Sequence, residues 1–203
     1  MEKIIKALEN ANKIVITAHK SPDGDAIGSS LALFHYLNKL DKNVTVIVPD
    51  AFPVFLNWME GSDKILLYDK ETVVADKVID SAEVIFSLDY NGLNRIGDLR
   101  NPIEKSSAVK IVIDHHQDPQ DFADHYFVDT ECCSTAQLIY EFIEKLEDLD
   151  KLDKTIGECI YCGIMTDTGS FRYPSTRSKT HRIIARFIDL GVNGSKIHQE
   201  VFD

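Results

Sequence analysis

The side chains best suited to chemistry in this 203-residue chain come in four groups: His19, Asp23 and Asp25; Asp89; Asp114, His115 and His116; and Asp167. Carboxylates gathered in one pocket repel each other and raise one another's pKa values, so a site that collects these acids needs cations. Two divalent ions supply +4 and reverse that logic. Oxygen and imidazole donors without thiolate suit Mn²⁺, Mg²⁺ or Fe²⁺ better than a structural zinc. Within His19-x-x-x-Asp23-x-Asp25, a turn lets His19 and Asp23 face one ion while Asp25 reaches another, and Asp89 is the natural bridge. Two metals about 3.5–4 Å apart, bridged by a carboxylate, are the usual apparatus for in-line displacement at phosphorus. The bland alternative makes each aspartate a cap of a helix or turn. It serves for one residue and explains poorly a set of acids and histidines at four successive element ends.

The elements that must position these groups follow from period and breakers. Residues 13–18, 43–48, 84–88 and 109–113 are nearly continuous apolar runs rich in β-branched residues, as strands buried on both faces should be. The third and fourth runs end directly at Asp89 and Asp114. Helical spacing appears over 2–11, 26–40, 135–146, 154–166, 179–190 and 196–201. Parallel strands need crossover connections, so the expected fold is α/β: a mainly parallel sheet flanked by helices on both faces. Ligands in such sheets bind beyond the carboxyl ends of the strands, where these acids fall.

Composition narrows the classes. With 22 basic and 33 acidic residues the net charge is −11, and 44% hydrophobic residues can build a core, which excludes a disordered chain. No run reaches the roughly 18 apolar residues of a membrane span and no signal-peptide core opens the chain, so a cytoplasmic protein without membrane contact is expected. The acidity argues against coating duplex nucleic acid through a broad basic surface. Cys159-x-x-Cys162 is half of a zinc-ribbon pattern, but Cys132 and Cys133 are adjacent and no second spaced pair exists, so the four cysteines are expected as core or helix-face thiols.

Four stretches carry a family resemblance: His19-Lys-Ser-Pro-Asp-Gly-Asp-Ala-Ile-Gly-Ser29, Asp89 with Arg95-Ile-Gly97, Asp114-His-His116, and Gly163-Ile-Met-Thr-Asp-Thr-Gly-Ser-Phe-Arg172. In order and spacing they resemble the motifs of the DHH phosphoesterases, over about residues 13–200, and the first is most similar to the nanoRNase and pAp phosphatase branch. The resemblance implies that His19, Asp23 and Asp89 hold one metal ion and that Asp25, Asp89, His115 and Asp167 hold the other, Mn²⁺ being the first choice. It implies that His116 contacts the scissile phosphate, that Asp114 orients a histidine, and that a water activated by both ions attacks phosphorus. His116 and a metal-bound water are alternative donors to the leaving oxygen. The implied substrates are short single-stranded oligoribonucleotides, dinucleotides such as pApA, and 3′-phosphoadenosine 5′-phosphate. A cyclic-dinucleotide phosphodiesterase, a RecJ-like single-strand exonuclease and a non-catalytic nucleotide-binding regulatory module are the competing readings, and a homodimer is left open.

Several residues stand outside those motifs or at their margins. Arg95 is read as pairing with a ligand carboxylate or the substrate, and Arg172, five residues after Asp167, as gripping a substrate phosphate. Arg177, Lys179, Arg182 and Arg186 read as solvated surface, and the charge-rich segment 141–154 as a solvated helix end and loop. Ser134-Thr135 reads as a helix cap, with phosphate contact at the helix start as the alternative. His35, His125, His181 and His198 read as structural or surface, and Phe55 and Trp58 as core. The branch continues into a smaller second domain of DHHA1 type that closes over substrate, with a Gly-Gly-Gly-His-like motif that does not occur here. The expectation is therefore a catalytic domain over residues 1–190 and a linker helix starting over 191–203, with the lid domain cut away or, as the alternative, naturally lacking.

Overall fold

A computed structural model describes residues 1–203, and every strand pairing in its six-stranded sheet is parallel. The strands are β1 (Lys13–Thr17), β2 (Asn43–Val48), β3 (Leu66–Leu67), β4 (Val84–Leu88), β5 (Val109–Asp114) and β6 (His125–Val128), in spatial order β3-β2-β1-β4-β5-β6. The helices are α1 (Glu2–Asn10), α2 (Gly24–Lys39), α3 (Tyr68–Asp80), α4 (Arg100–Lys105), α5 (Thr135–Lys145), α6 (Lys154–Asp167), α7 (Ser178–Asp189) and α8 (Gly194–Phe202). No helix is long and apolar enough to cross a membrane.

Alternation along the strands divides the core in two. Ile14, Ile16, Phe86, Leu88, Ile111 and Ile113 point into a large cluster with α1, α2, α5, α6, α7 and α8. Val15, Ile47 and Ile85 point into a smaller one with Ile79 of α3, Ile103 of α4 and the turns after β4. Helices thus cover both faces as the apolar runs predict, and β4 is buried at every residue. The chain leaves β1 towards β2 and β3, then returns to β4 on the other side of β1. The crevice between the carboxyl ends of β1 and β4 is therefore the switch point at which such sheets bind ligands.

Four elements were not anticipated. In α3 only Tyr68, Ala75 and Ile79 are buried while Val73 and Val74 face outward, so its apolar positions do not trace one stripe. The segments β3 and α4 are too short for a pattern, and β6 is a half-exposed edge strand reached through a loop over 115–124 rather than a helix. Phe55 corrects the sequence reading, for it is 41% exposed and not core. Segment 141–154 is more than solvated surface: Tyr36 donates to Asp148 Oδ2 at 2.5 Å, and Lys39 pairs with Asp153 at 2.6 Å. Val192 and Ile197 are buried in the larger cluster, so residues near the chain end pack on the same body. All four cysteines are buried free thiols.

The contact between α2 and α6 sets the distance between the first and last acidic groups. A Cβ at Gly28 would lie 2.5 Å from the Cys159 carbonyl oxygen, so only glycine lets the two backbones approach this closely. Asp153 starts α6 by accepting the Ile156 N–H at 3.0 Å. Burial works against its charge, but the Ile156 amide and Lys39 outweigh burial and hold its carboxyl below the ordinary range. A depressed folded-state pKa contributes stability above the unfolded value of about 3.9, lost as pH falls through the folded value. Asp153→Ala should therefore cost about 1 kcal/mol at pH 7. In urea melts the deficit should shrink below about pH 4, and a deficit unchanged there would contradict the assignment.

Candidate metal centre

His19 follows β1, with its Nδ1 2.9 Å from the Lys20 carbonyl. A carbonyl only accepts, so Nδ1 carries the proton and Nε2 is turned into the crevice, 3.4 Å from Asp89 Oδ2 and 3.8 Å from Asp23 Oδ1. His115, after β5, repeats the device. Its Nδ1 faces the Cys132 carbonyl at 3.3 Å, while Nε2 lies 3.5 Å from Asp89 Oδ1, 3.5 Å from Asp167 Oδ2 and 3.9 Å from Asp25 Oδ2. Two imidazoles thus present Nε2 to opposite oxygens of one carboxylate.

The carboxylates are held by backbone. Asp89 follows β4 at φ 62°, a left-handed conformation that aspartate tolerates better than most residues, and it is 2% exposed. Asp23 caps α2, accepting the N–H groups of Asp25 and Ala26 at 3.0 Å each. Asp25, in the first turn of α2, accepts the N–H of Thr135 at 2.7 Å and of Ala136 at 2.8 Å, the opening amides of α5. Thr135 Oγ1 also donates to Asp89 Oδ1 at 2.8 Å. Asp167 is the last residue of α6.

Three sets of ligand atoms lie within 4.8 Å of one another: His19, Asp23 and Asp89; Asp25, His115 and Asp167; and Asp89, His115 and His116. Asp114 is fully buried. Its Oδ1 accepts a hydrogen bond from His116 Nδ1–H at 2.7 Å, and its Oδ2 has no partner. That bond is the main cause holding the His116 imidazole above its ordinary pKa, against burial.

The donor set fits divalent cations. Burial, Asp89 and Asp167 push the Asp25 carboxyl well up, and burial is the first cause that lifts Asp167 to about 6. Burial opposes protonation of His19, yet Asp23 and Asp89 hold it up at about 10. Burial leads for both carboxyls, and the neighbouring carboxylates add to it, while His115 works the other way on Asp167. No cysteine joins these sets, so the donors are carboxylate oxygen and imidazole, suited to Mn²⁺, Mg²⁺ or Fe²⁺.

The two arginines stand apart. Arg95 lies half-buried on the turn after β4; its carbonyl accepts the Lys20 N–H at 2.8 Å, and its charge opposes protonation of His116. Arg172 is exposed, and its Nε donates to the Gly169 carbonyl at 2.5 Å, with no bond to the acidic groups. The basic residues beyond it are largely spoken for: Arg177 pairs with Glu131 at 2.5 Å and Lys179 with Glu141 at 2.9 Å. Ser134 is the cap of α5, accepting the Gln137 N–H at 3.0 Å. The alternative of a phosphate at that helix start is corrected, because Asp25 takes the free amides. Thr135 was read with Ser134 as part of a cap; what sequence reasoning missed is its role, with the backbone N–H on Asp25 and the hydroxyl on Asp89.

Gly163 of α6 backs this arrangement. A Cβ there would lie 2.5 Å from Ala136 Cβ and 2.8 Å from Asp25 Oδ1. Alanine favours helix over glycine by about 1 kcal/mol, but overpacking costs about 1–3 kcal/mol. Gly163→Ala should therefore lower the urea midpoint, and an unchanged or raised midpoint would mean that the site has room to spare.

The model of the DHH family, N-terminal domain, matches residues 13–164. The bifunctional oligoribonuclease and PAP phosphatase NrnA of Bacillus subtilis is 27% identical over 99% of this chain and 60% of its own length. The protein of the same name from Thermus thermophilus is 31% identical over 94% of this chain and 53% of its own. A crystal structure of an exopolyphosphatase-related protein from Bacteroides fragilis superposes with a TM-score of 0.97 at 45% identity, over 99% of this chain and 59% of that one. The chain thus spans little more than half the length of the relatives it matches. The family model covers most of the chain, including β1 through most of α6, and on that match the chain belongs to the DHH family.

Proposed function

We propose that this chain carries the catalytic centre of a phosphohydrolase that cleaves short oligoribonucleotides and dinucleotides such as pApA, and dephosphorylates 3′-phosphoadenosine 5′-phosphate to AMP. The observation that carries the reading is that the His19, Asp23 and Asp89 set lies beside the Asp25, His115 and Asp167 set, which reaches Asp89 through His115 Nε2 at 3.5 Å. Two divalent cations, Mn²⁺ first, held by His19, Asp23 and Asp89 and by Asp25, Asp89, His115 and Asp167, would supply Lewis acidity towards water and the phosphoryl oxygens.

The remaining work falls to side chains. Asp114 fixes the His116 proton on Nδ1 and favours the imidazolium, so Nε2–H is available to a non-bridging phosphate oxygen or to the leaving oxygen. Arg95 brings a second positive charge to the same edge, and Arg172 is the candidate for a more distant phosphate. A chain of net charge −11 grips its substrate locally, through this edge, rather than through a broad surface. The relatives named as oligoribonuclease and PAP phosphatase support the substrate class.

The test is hydrolysis of pApA, 3′-phosphoadenosine 5′-phosphate, a cyclic dinucleotide and longer single-stranded DNA with Mn²⁺, with products resolved by chromatography. AMP from the first two is expected. Asp89→Asn should cost more than the roughly 10–100-fold typical of residues that only orient a ligand. Turnover of the cyclic dinucleotide alone, or of long DNA alone, would move the assignment to those substrates. A chain that binds no Mn²⁺ would end the catalytic reading and leave a nucleotide-binding module.

A further inference from the structure

We infer that Thr135 is a positioning residue that sets the plane of the Asp89 carboxylate, keeping Oδ1 on the His115 side and Oδ2 on the His19 side of a site that would hold cations. This rests on the two-cation reading above and goes beyond it. The two oxygens of Asp89 already face different partners: Oδ2 lies 3.4 Å from His19 Nε2, and Oδ1 lies 3.5 Å from His115 Nε2. The torsion that turns an aspartate carboxylate is broad, so the residue's own geometry does not fix that division. An external donor must do so, and Thr135 Oγ1, 2.8 Å from Oδ1, is the one hydrogen-bond donor to that carboxylate apart from histidines.

Capping does not account for this hydroxyl. Ser134 caps α5 with its own Oγ, and the Thr135 backbone N–H is committed to Asp25 Oδ2 at 2.7 Å. Thr135 is fully buried, so water does not compete for its hydroxyl, and its branched Cβ restricts the rotor that aims it. One residue therefore holds Asp25 through its backbone and Asp89 through its side chain. A hydroxyl is also the suitable donor chemically. It fixes the plane without adding a positive charge, whereas lysine or arginine there would compete with the cations for the same oxygen.

The experiment is Mn²⁺ titration by calorimetry of the wild-type chain, Thr135→Val and Thr135→Ser, with metal-free melting of each. Valine keeps the branched shape and the backbone N–H and removes only the donor. The expected result is two Mn²⁺ per wild-type chain, binding weakened about 10–100-fold in Thr135→Val, and recovery to within about threefold in Thr135→Ser, which keeps the donor and loses only the branch. Thr135→Ala, smaller and equally without a hydroxyl, repeats the measurement so that steric misfit of valine does not decide it. Wild-type affinity and stoichiometry in either hydroxyl-free variant would overturn the inference alone. Failure of the wild-type chain to bind Mn²⁺ would overturn the two-cation reading, and this inference with it. A merely structural threonine would lower the metal-free melting temperature and leave Mn²⁺ affinity intact, which also overturns it.

Discussion

Negative charge confined where little water reaches is the constraint around which this molecule is arranged. Asp23, Asp25, Asp89 and Asp167 approach one crevice, two of them almost wholly buried, and no lysine or arginine pairs with any of them. Such an arrangement is costly for the isolated chain, whose own counter-charge there is limited to imidazoles, and it suits cations that arrive from outside. The protein's part is to hold the acids together despite their repulsion. It does so with backbone amides at the starts of α2 and α5, with the hydroxyl of Thr135, and with a left-handed residue at the end of β4.

The sheet makes this possible because all its strands run the same way. Every chain segment that leaves a strand's carboxyl end does so at the same edge, and helices returning across the face start there. The starts of α2 and α5 each meet a carboxylate of the site: the α2 amides face Asp23, and the α5 amides face Asp25 in the first turn of α2. The close contact of α2 and α6 at Gly28 accompanies the placement of Asp167, at the end of α6, in the same ligand set as Asp25 and His115. Packing in the larger core and geometry at the site are one arrangement seen at two levels.

Much of this was legible in sequence. Strands buried on both faces produce continuous apolar runs whatever surrounds them, so β1, β2, β4 and β5 declared themselves, and the aspartates that end the runs of β4 and β5 marked the sheet edge. The acids and histidines were visible for the same reason. Elements whose burial is partial left no period: α3 turns Val73 and Val74 to solvent, and β6 is a short edge. Phe55 was misplaced because apolar character alone does not say which side of a turn faces inward. Thr135 was seen only as part of a cap, because its partners lie 46 and 110 positions away, which no local pattern encodes.

Those separations bear on how the chain folds. The link between Thr135 and Asp25 closes a loop of 110 residues, and Gly28 meets Cys159 across a longer one. Closing such loops is opposed by chain entropy and is repaid only when the interior between them has packed. Before that point the acids are scattered along a solvated coil, with no particular hold on a divalent ion. Only the finished fold offers the assembled crevice, so an ion taken up there binds the native state and not the unfolded one, and its binding free energy is added in full to conformational stability. Ion loading and foldedness then become a single linked equilibrium, in which the ion concentration of the surroundings sets how firmly the chain stays closed.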